Sequence, residues 1–195
     1  MTPLILASGS AIRRQILESA GIPFSVQTSG VDEDFIKAGW QGGDPSELAV
    51  RLAEAKARAP QVASDALVLG ADQVLSCEGE LFDKARSVEE ARQRLQHLRG
   101  KTHTLHSGLA AVRSGDVVWR YRTESHLTVR TFSDAFLADY LDKAGDVLTA
   151  SVGAYAYEGL GAQLFDQVEG DYYAILGLPL LPVLDLLRRE GVIAL

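Results

Sequence analysis

Residues 4–20 read LILASGSAIRRQILESA, and this stretch decides the fold. The apolar run 4–7 predicts a short buried strand, Ser8-Gly9-Ser10 predicts a turn, and the residues after it predict a helix to about Ala20. Gly21-Ile22-Pro23 ends that helix, because glycine and proline both interrupt helical structure. A strand that turns directly into a helix is a common unit of α/β domains.

Further along the chain, helix and strand patterns alternate only in part. One helix start is predicted at Asp44, which Pro45 and Glu47 follow. Another is predicted at the capping box of Ser87 and Glu90. Strands are predicted at 24–28, 66–75, 102–112, 117–130 and Tyr172 to Leu176, with a hairpin turn at Glu78-Gly79. Further helices are predicted at 133–144 and after residues 177–179, and an acidic loop at 31–34. We therefore expect an α/β fold, a single domain 1–195, with a mixed, partly antiparallel sheet flanked by helices.

Composition narrows the classes of protein. The chain has 195 residues, an apolar fraction of 47% and a net charge of −7, values typical of an ordinary globular domain that repels nucleic acid. It has no apolar run of transmembrane length, its start does not resemble a signal peptide, and its single cysteine, Cys77, cannot form an internal disulfide. We expect a cytoplasmic protein that binds neither membrane nor nucleic acid. Because the net charge is negative, a site for a small anion would need several Arg or Lys side chains close together.

The turn at Ser8 allows two interpretations. Small residues let backbone N–H groups approach a ligand, and the helix N-terminus after them favours an anion. Arg13 lies in the first helical turn, where the helix dipole disfavours a cation by about 0.3–1 kcal/mol unless an anion is bound. The alternative is an ordinary capped helix with solvated arginines.

Two further charged residues also allow alternatives. Asp72 follows an apolar strand, so its carboxylate can hold a metal, accept a proton or simply cap the local backbone. Lys56 continues the apolar stripe of Leu48 and Leu52, so it either snorkels to water or reaches a site.

The lysine after the predicted hairpin poses a problem of register. A two-residue turn at Glu78-Gly79 places Lys84 opposite Gln73, on the face away from Asp72. Convergence of Lys84 and Asp72 therefore requires a bulge or an early end to the pairing. His103 and His106 lack the spacing of a zinc site.

Together, these residues resemble the Maf-type nucleotide pyrophosphatases, also called septum-formation inhibitors. Residues 6–14 are similar to the family signature L-A-S-x-S-P-x-R-R, although Ala11 replaces its proline. Further segments resemble the family in the right order along nearly the whole chain: Asp32-Glu33, L-A-x-x-K-A at 52–57, G-x-D-x-V at 70–74, Lys84, G-[KR]-x-H at 100–103, the loop 153–159 and G-L-P at 177–179. Ala85 also replaces a family proline.

The resemblance implies an elongated, Maf/ITPase-like domain with a nucleotide cleft, which hydrolyses a nucleoside triphosphate to the monophosphate and pyrophosphate with Mg²⁺ or Mn²⁺. By position, Asp72 would be the general base and a metal ligand, and Glu33 would contact metal or water. Phosphate contacts would come from Ser8, Arg13, Lys56 and Lys84. Clearance of modified nucleotides, a link to cell-division arrest and a homodimer are further expectations of the resemblance.

Base preference would depend on three positions, occupied here by Ile12, Gln73 and Glu158. The branch acting on thymidine and uridine triphosphates typically has Arg, Thr and Gln there. Gln73 and Glu158 look more like the branch acting on 7-methylguanosine triphosphate, whereas Ile12 is not its usual aromatic residue. The alternatives to a pyrophosphatase are a nucleotidyltransferase and a catalytically weak, nucleotide-sensing regulator of cell division.

Overall fold

A computed structural model describes residues 2–62 and 65–194. The strands in these ranges are β1 (Leu4–Leu6), β2 (Ser25–Val26), β3 (Leu67–Cys77), β4 (Glu80–Phe82), β5 (Thr102–Arg113), β6 (Asp116–Val129) and β7 (Phe165–Glu169). The α-helices are α1 (Ala11–Ser19), α2 (Glu33–Ala38), α3 (Pro45–Arg58), α4 (Val88–Leu98), α5 (Asp134–Ala144), α6 (Val147–Ala150), α7 (Tyr172–Ile175) and α8 (Leu180–Arg189). A 3₁₀ helix spans Leu160–Leu164.

The described strands form one mixed sheet in the order β2-β1-β3-β5-β6-β7, with β4 paired to β3. Strand β1 runs parallel to β2 and β3, whereas the β3–β4 and β6–β7 pairs are antiparallel. The predicted α/β fold with a mixed, partly antiparallel sheet and flanking helices is confirmed. None of the helices in the described ranges has the length and apolar character needed to cross a membrane.

Helix starts and the first hairpin follow the local signals in the sequence. The Oδ1 atom of Asp44 accepts a hydrogen bond from Ser46 N at 2.9 Å and begins α3. Ser87 Oγ accepts from Glu90 N at 3.1 Å and begins α4. The turn between β3 and β4 places Glu78 and Gly79 at φ values of 52° and 84°, as a tight hairpin requires.

Two regions differ from their prediction. The stretch Tyr172 to Leu176, predicted as a strand, contains helix α7, because Leu176 N donates to Tyr172 O and the turn ends on Gly177 at φ 91°. An apolar run of five residues does not distinguish a strand from a helical turn. The acidic loop after Val31 begins helix α2, because Asp32 Oδ1 caps it by accepting from Phe35 N at 3.0 Å.

Two compact units divide the chain. The first unit comprises residues up to 73, 107–123 and those from 172 onward, and the second comprises 74–106 and 124–171. Strands β3, β5 and β6 each pass from one unit into the other. The prediction of a single, elongated domain with a cleft stays a prediction.

Each unit has its own apolar interior. The main cluster of the first unit joins β1, β3 and β5 to α1 and α8, with members that include Leu6, Leu17, Leu69, Leu109 and Leu186. In the second unit, helices α4, α5 and α6 pack on one another, and Leu95, Leu98, Leu127, Leu137 and Tyr140 are buried.

Candidate active site

The turn between β1 and α1 is built around two serine hydroxyls. Ser10 is the N-cap of α1, and its Oγ accepts from Arg13 N at 3.5 Å. The Ser8 hydroxyl is buried and accepts from Ser10 N at 3.3 Å and from Nη1 of Arg13 at 3.2 Å. The turn therefore brings the start of α1 and a guanidinium group to the same hydroxyl.

Arg13 is a structural bridge and not a solvated surface arginine. Its Nε donates to Gly177 O at 2.8 Å, and its Nη1 donates to Ala71 O at 2.8 Å. Burial lowers the pKa of Arg13, and the Asp72 and Glu33 carboxylates partly offset that effect. The side chain thus joins α1 to the middle of β3 and to the turn before α8, and Nη2 takes part in none of these bonds.

Lys56 lies between two carboxylates in the first unit. Its Nζ is 2.5 Å from Asp72 Oδ1 and 2.8 Å from Glu33 Oε1. The side chains of Lys56 and Asp72 are only 11% and 10% exposed, so Lys56 does not snorkel to water. Three of the predicted site residues, one on each of α2, α3 and β3, therefore form one charged cluster.

Glycines allow α3 to lie directly on the sheet and bring Lys56 to Asp72. A Cβ atom on Gly70 of β3 would lie 2.1 Å from Ala53 O of α3. A Cβ atom on Gly108 of β5 would lie 2.2 Å from Ala49 C of the same helix. Real Cβ atoms do not approach other atoms this closely, so any larger residue at either position would force the helix and the strand apart. Strand glycines often mark such close backbone approaches.

Gln73 is held by backbone groups of α7. Its Nε2 donates to Ala174 O at 2.9 Å and lies 3.2 Å from Ser107 Oγ and 3.3 Å from Ile175 O. Ser107 Oγ donates to the same Ala174 carbonyl at 3.0 Å. Ile12, another predicted base-specificity residue, packs half-buried against the main apolar cluster of the first unit.

Lys84 and Glu158 both lie exposed in the second unit. The register pairs Leu75 with Phe82, as the two-residue turn predicts, and β4 ends at Phe82. The ladder therefore ends two residues before Lys84 and does not fix the direction of its side chain. The convergence of Lys84 and Glu158 with Asp72 stays a prediction.

Buried polar groups of the second unit were missed by sequence reasoning. His103 Nε2 lies 2.6 Å from the Tyr155 hydroxyl, and both side chains are buried. His106 bonds Ser76 Oγ through Nε2 at 2.8 Å and Glu124 through Nδ1 at 3.2 Å. Histidines within a strand of small and apolar residues were the available signal, but the sequence does not reveal their partners.

The fold and the site are those of an α/β protein that holds a lysine between two carboxylates beside its first strand–turn–helix unit. The chain matches the family described as Maf-like protein over residues 3–190. It belongs to this family, as its motifs implied.

Relatives of known name align with this chain over nearly its whole length. Proteins named nucleoside triphosphate pyrophosphatase from Maricaulis maris and Caulobacter vibrioides are 58% and 49% identical to it, over 99% and 98% of this chain and 99% and 97% of their own. A protein from Rhizobium meliloti named 7-methyl-GTP pyrophosphatase is 44% identical over 97% of each chain.

Proposed function

We propose that this protein hydrolyses nucleoside triphosphates to the monophosphate and pyrophosphate by cutting the α–β phosphoanhydride bond. The observation that carries the proposal is the cluster in which Lys56 Nζ contacts Asp72 and Glu33 at 2.5 and 2.8 Å. Such a cluster places a proton acceptor beside a cation for the phosphates, and the names of the relatives point to the same reaction.

Four of the predicted site residues have roles that their contacts support. Asp72 accepts a proton from the water that attacks phosphorus, while Lys56 turns from the carboxylates to the phosphate oxygens. Ser8 and Arg13 bind phosphate at the turn, and Arg13 does so through Nη2, because Nε and Nη1 are bonded to carbonyl and hydroxyl groups. Lys84 supplies a further phosphate contact, as the family resemblance implies.

The donor set fits a divalent metal ion. Asp72 and Glu33 offer carboxylate oxygens, the ligands that Mg²⁺ and Mn²⁺ prefer, and a single ammonium group already lies between them. We propose that these two side chains hold the ion. When bound, it would offset phosphate charge and lower the pKa of a nearby water.

For the base, we propose that guanine-type nucleotides are preferred over thymidine and uridine triphosphates. An ionised Glu158 only accepts hydrogen bonds, which suits the N–H groups of guanine and opposes the carbonyl oxygens of thymine and uracil. The mismatch would cost on the order of 1–3 kcal/mol, or roughly tenfold to hundredfold in selectivity. The Rhizobium meliloti relative, by its name, acts on a guanine nucleotide.

Product analysis tests the proposed reaction. With Mg²⁺ or Mn²⁺ and a panel of triphosphates that includes 7-methyl-GTP, the protein should release pyrophosphate and a monophosphate. Asp72→Asn should abolish release while triphosphate binding survives, and Asp116→Asn, which alters an exposed carboxylate at the start of β6, should be active.

Other products would support other classes of protein. Orthophosphate as the first product would place the cut at the wrong bond. Pyrophosphate release that requires a sugar phosphate would indicate a nucleotidyltransferase, and binding without turnover would indicate a sensor. A homodimer, clearance of modified nucleotides and a cell-division role stay predictions of the resemblance, and a cytoplasmic location stays a prediction from composition.

A further inference from the structure

The segment 152–158, which carries Glu158, is held in place by buried hydrogen bonds within the second unit. The Tyr155 hydroxyl lies 2.6 Å from His103 Nε2, and the exposed fractions of the two residues are 6% and 1%. Ser151 Oγ accepts from Tyr155 N at 2.9 Å and donates to Tyr155 O at 2.8 Å. Tyr140 donates its hydroxyl to Ala154 O at 3.1 Å.

The backbone of this segment has little freedom to take another conformation. Ala154 lies in the left-handed region at φ 59°, which costs free energy for a residue with a Cβ and requires support from its surroundings. A Cβ on Gly153 would meet the Tyr155 ring at 2.1 Å, and a Cβ on Gly161 would meet Ala156 O at 2.4 Å. Close packing therefore favours glycine at both positions, against the Tyr155 ring at Gly153 and against the Ala156 backbone at Gly161.

Aromatic packing completes the support. The ring of Phe165, the first residue of β7, packs edge-on against Tyr155 at 4.9 Å and against Tyr157 at 5.8 Å between centroids. The His103 ring lies 6.0 Å from the same phenyl ring. The residue before Glu158 thus shares an aromatic partner with the buried pair.

We propose that His103 and Tyr155 are positioning residues that hold the Glu158 segment in the conformation that selects the base. The proposal rests on the proposed function, because it assigns a structural cause to base selection at the same site. Both side chains are buried and act through the segment, so neither is a catalytic residue.

The protonation of the pair agrees with this role. Burial lowers the pKa of His103 to about 4, so its imidazole is neutral at pH 7, and the ring tautomer decides whether Nε2 or the Tyr155 hydroxyl donates. Burial also raises the pKa of Tyr155, so the phenol keeps its proton. A hydrogen bond between two neutral groups in a low-dielectric interior is costly to leave unmade.

Tyr155→Phe tests the proposal, because it removes the hydroxyl and keeps the ring packing on Phe165. We expect KM for the preferred triphosphate to rise about tenfold and kcat to stay within about twofold. Selectivity against thymidine triphosphate should fall by a similar factor. Amide hydrogen exchange at 152–158 should accelerate about tenfold, a readout that needs no catalysis.

The matched control is Tyr121→Phe, which removes a hydroxyl from a ring stacked on Trp119 in the first unit and should change none of these quantities. If Tyr155→Phe does not fold, Tyr140→Phe loosens the segment at Ala154 and should give the same pattern. Unchanged selectivity despite faster exchange, unchanged exchange, or a loss confined to kcat would each overturn the proposal. A wild-type protein without pyrophosphatase activity would instead refute the proposed function, and the exchange measurement would still decide whether the pair holds the segment.

Discussion

Gly70→Ala should show how closely the geometry of the charged cluster depends on the position of α3 against the sheet. The added methyl group would lie 2.1 Å from Ala53 O and 2.8 Å from Ala57 N, whereas ordinary contact begins at 3.4 Å. The helix must therefore move by about 1.3 Å, or the strand must yield by as much. Overpacking of this kind typically costs about 1–3 kcal/mol in free energy of unfolding.

The same movement should reduce activity. Lys56 lies on the displaced helix, and its Nζ contacts Asp72 at 2.5 Å and Glu33 at 2.8 Å. Since a misplacement of 1 Å can cost roughly 10²-fold in rate, we expect kcat/KM for pyrophosphate release to fall by about that factor.

Urea denaturation, followed by tryptophan fluorescence, measures the stability change, and pyrophosphate release measures the activity. Gly39→Ala is the control, because a Cβ there meets only ordinary contacts at 3.6 Å and its φ of −79° suits alanine. Gly108→Ala should resemble Gly70→Ala, since it presses on the same helix at Ala49. Wild-type stability and activity in Gly70→Ala would refute the claim that the glycine sets the position of α3.

Three further predictions concern charge. Lys56→Ala should raise KM and lower kcat of pyrophosphate release. The control Lys143→Ala, at an exposed ion pair of α5, should change neither quantity. If both variants had the same kinetic parameters, Lys56 would not belong to the site. Since the pKa of His103 falls to about 4 on folding, the unfolded chain binds a proton that the folded chain does not between pH 6.5 and 4. The free energy of unfolding should therefore drop by about 3 kcal/mol as pH falls through that window, and urea titrations of His103→Phe should lack this component. Glu158→Gln should increase relative use of thymidine triphosphate roughly tenfold in the substrate panel, and an unchanged ranking would show that Glu158 does not contact the base.

Helix starts and tight turns were predictable, because they depend on residues only a few positions apart in the sequence. The caps at Asp44 and Ser87 place the starts of α3 and α4 within one residue, because a cap bonds backbone groups two or three positions away. The turn at Glu78-Gly79 was predictable for the same reason. The prediction for Tyr172 to Leu176 was wrong, because its outcome depended on tertiary contacts that a five-residue pattern does not contain.

The candidate site was only partly predictable. Charged residue types and the family motifs pointed to Lys56, Asp72 and Glu33, which the structure brings together. Most partners of Arg13 and Gln73 are backbone carbonyls, which every residue possesses, so no residue type in the sequence marks them. The roles assigned to Lys84 and Glu158 stay predictions.

The bond between Arg13 and Gly177 joins residues 164 positions apart, and it has a consequence for synthesis on the ribosome. The turn at Ser8 is synthesised long before the Gly177 carbonyl that fixes its arginine. Helix α8, which covers the apolar faces of β1 and α1, follows later still. The long-range bond that fixes Arg13 therefore forms only after Gly177 has been made, and a chain terminated before α8 would leave the apolar faces of β1 and α1 uncovered.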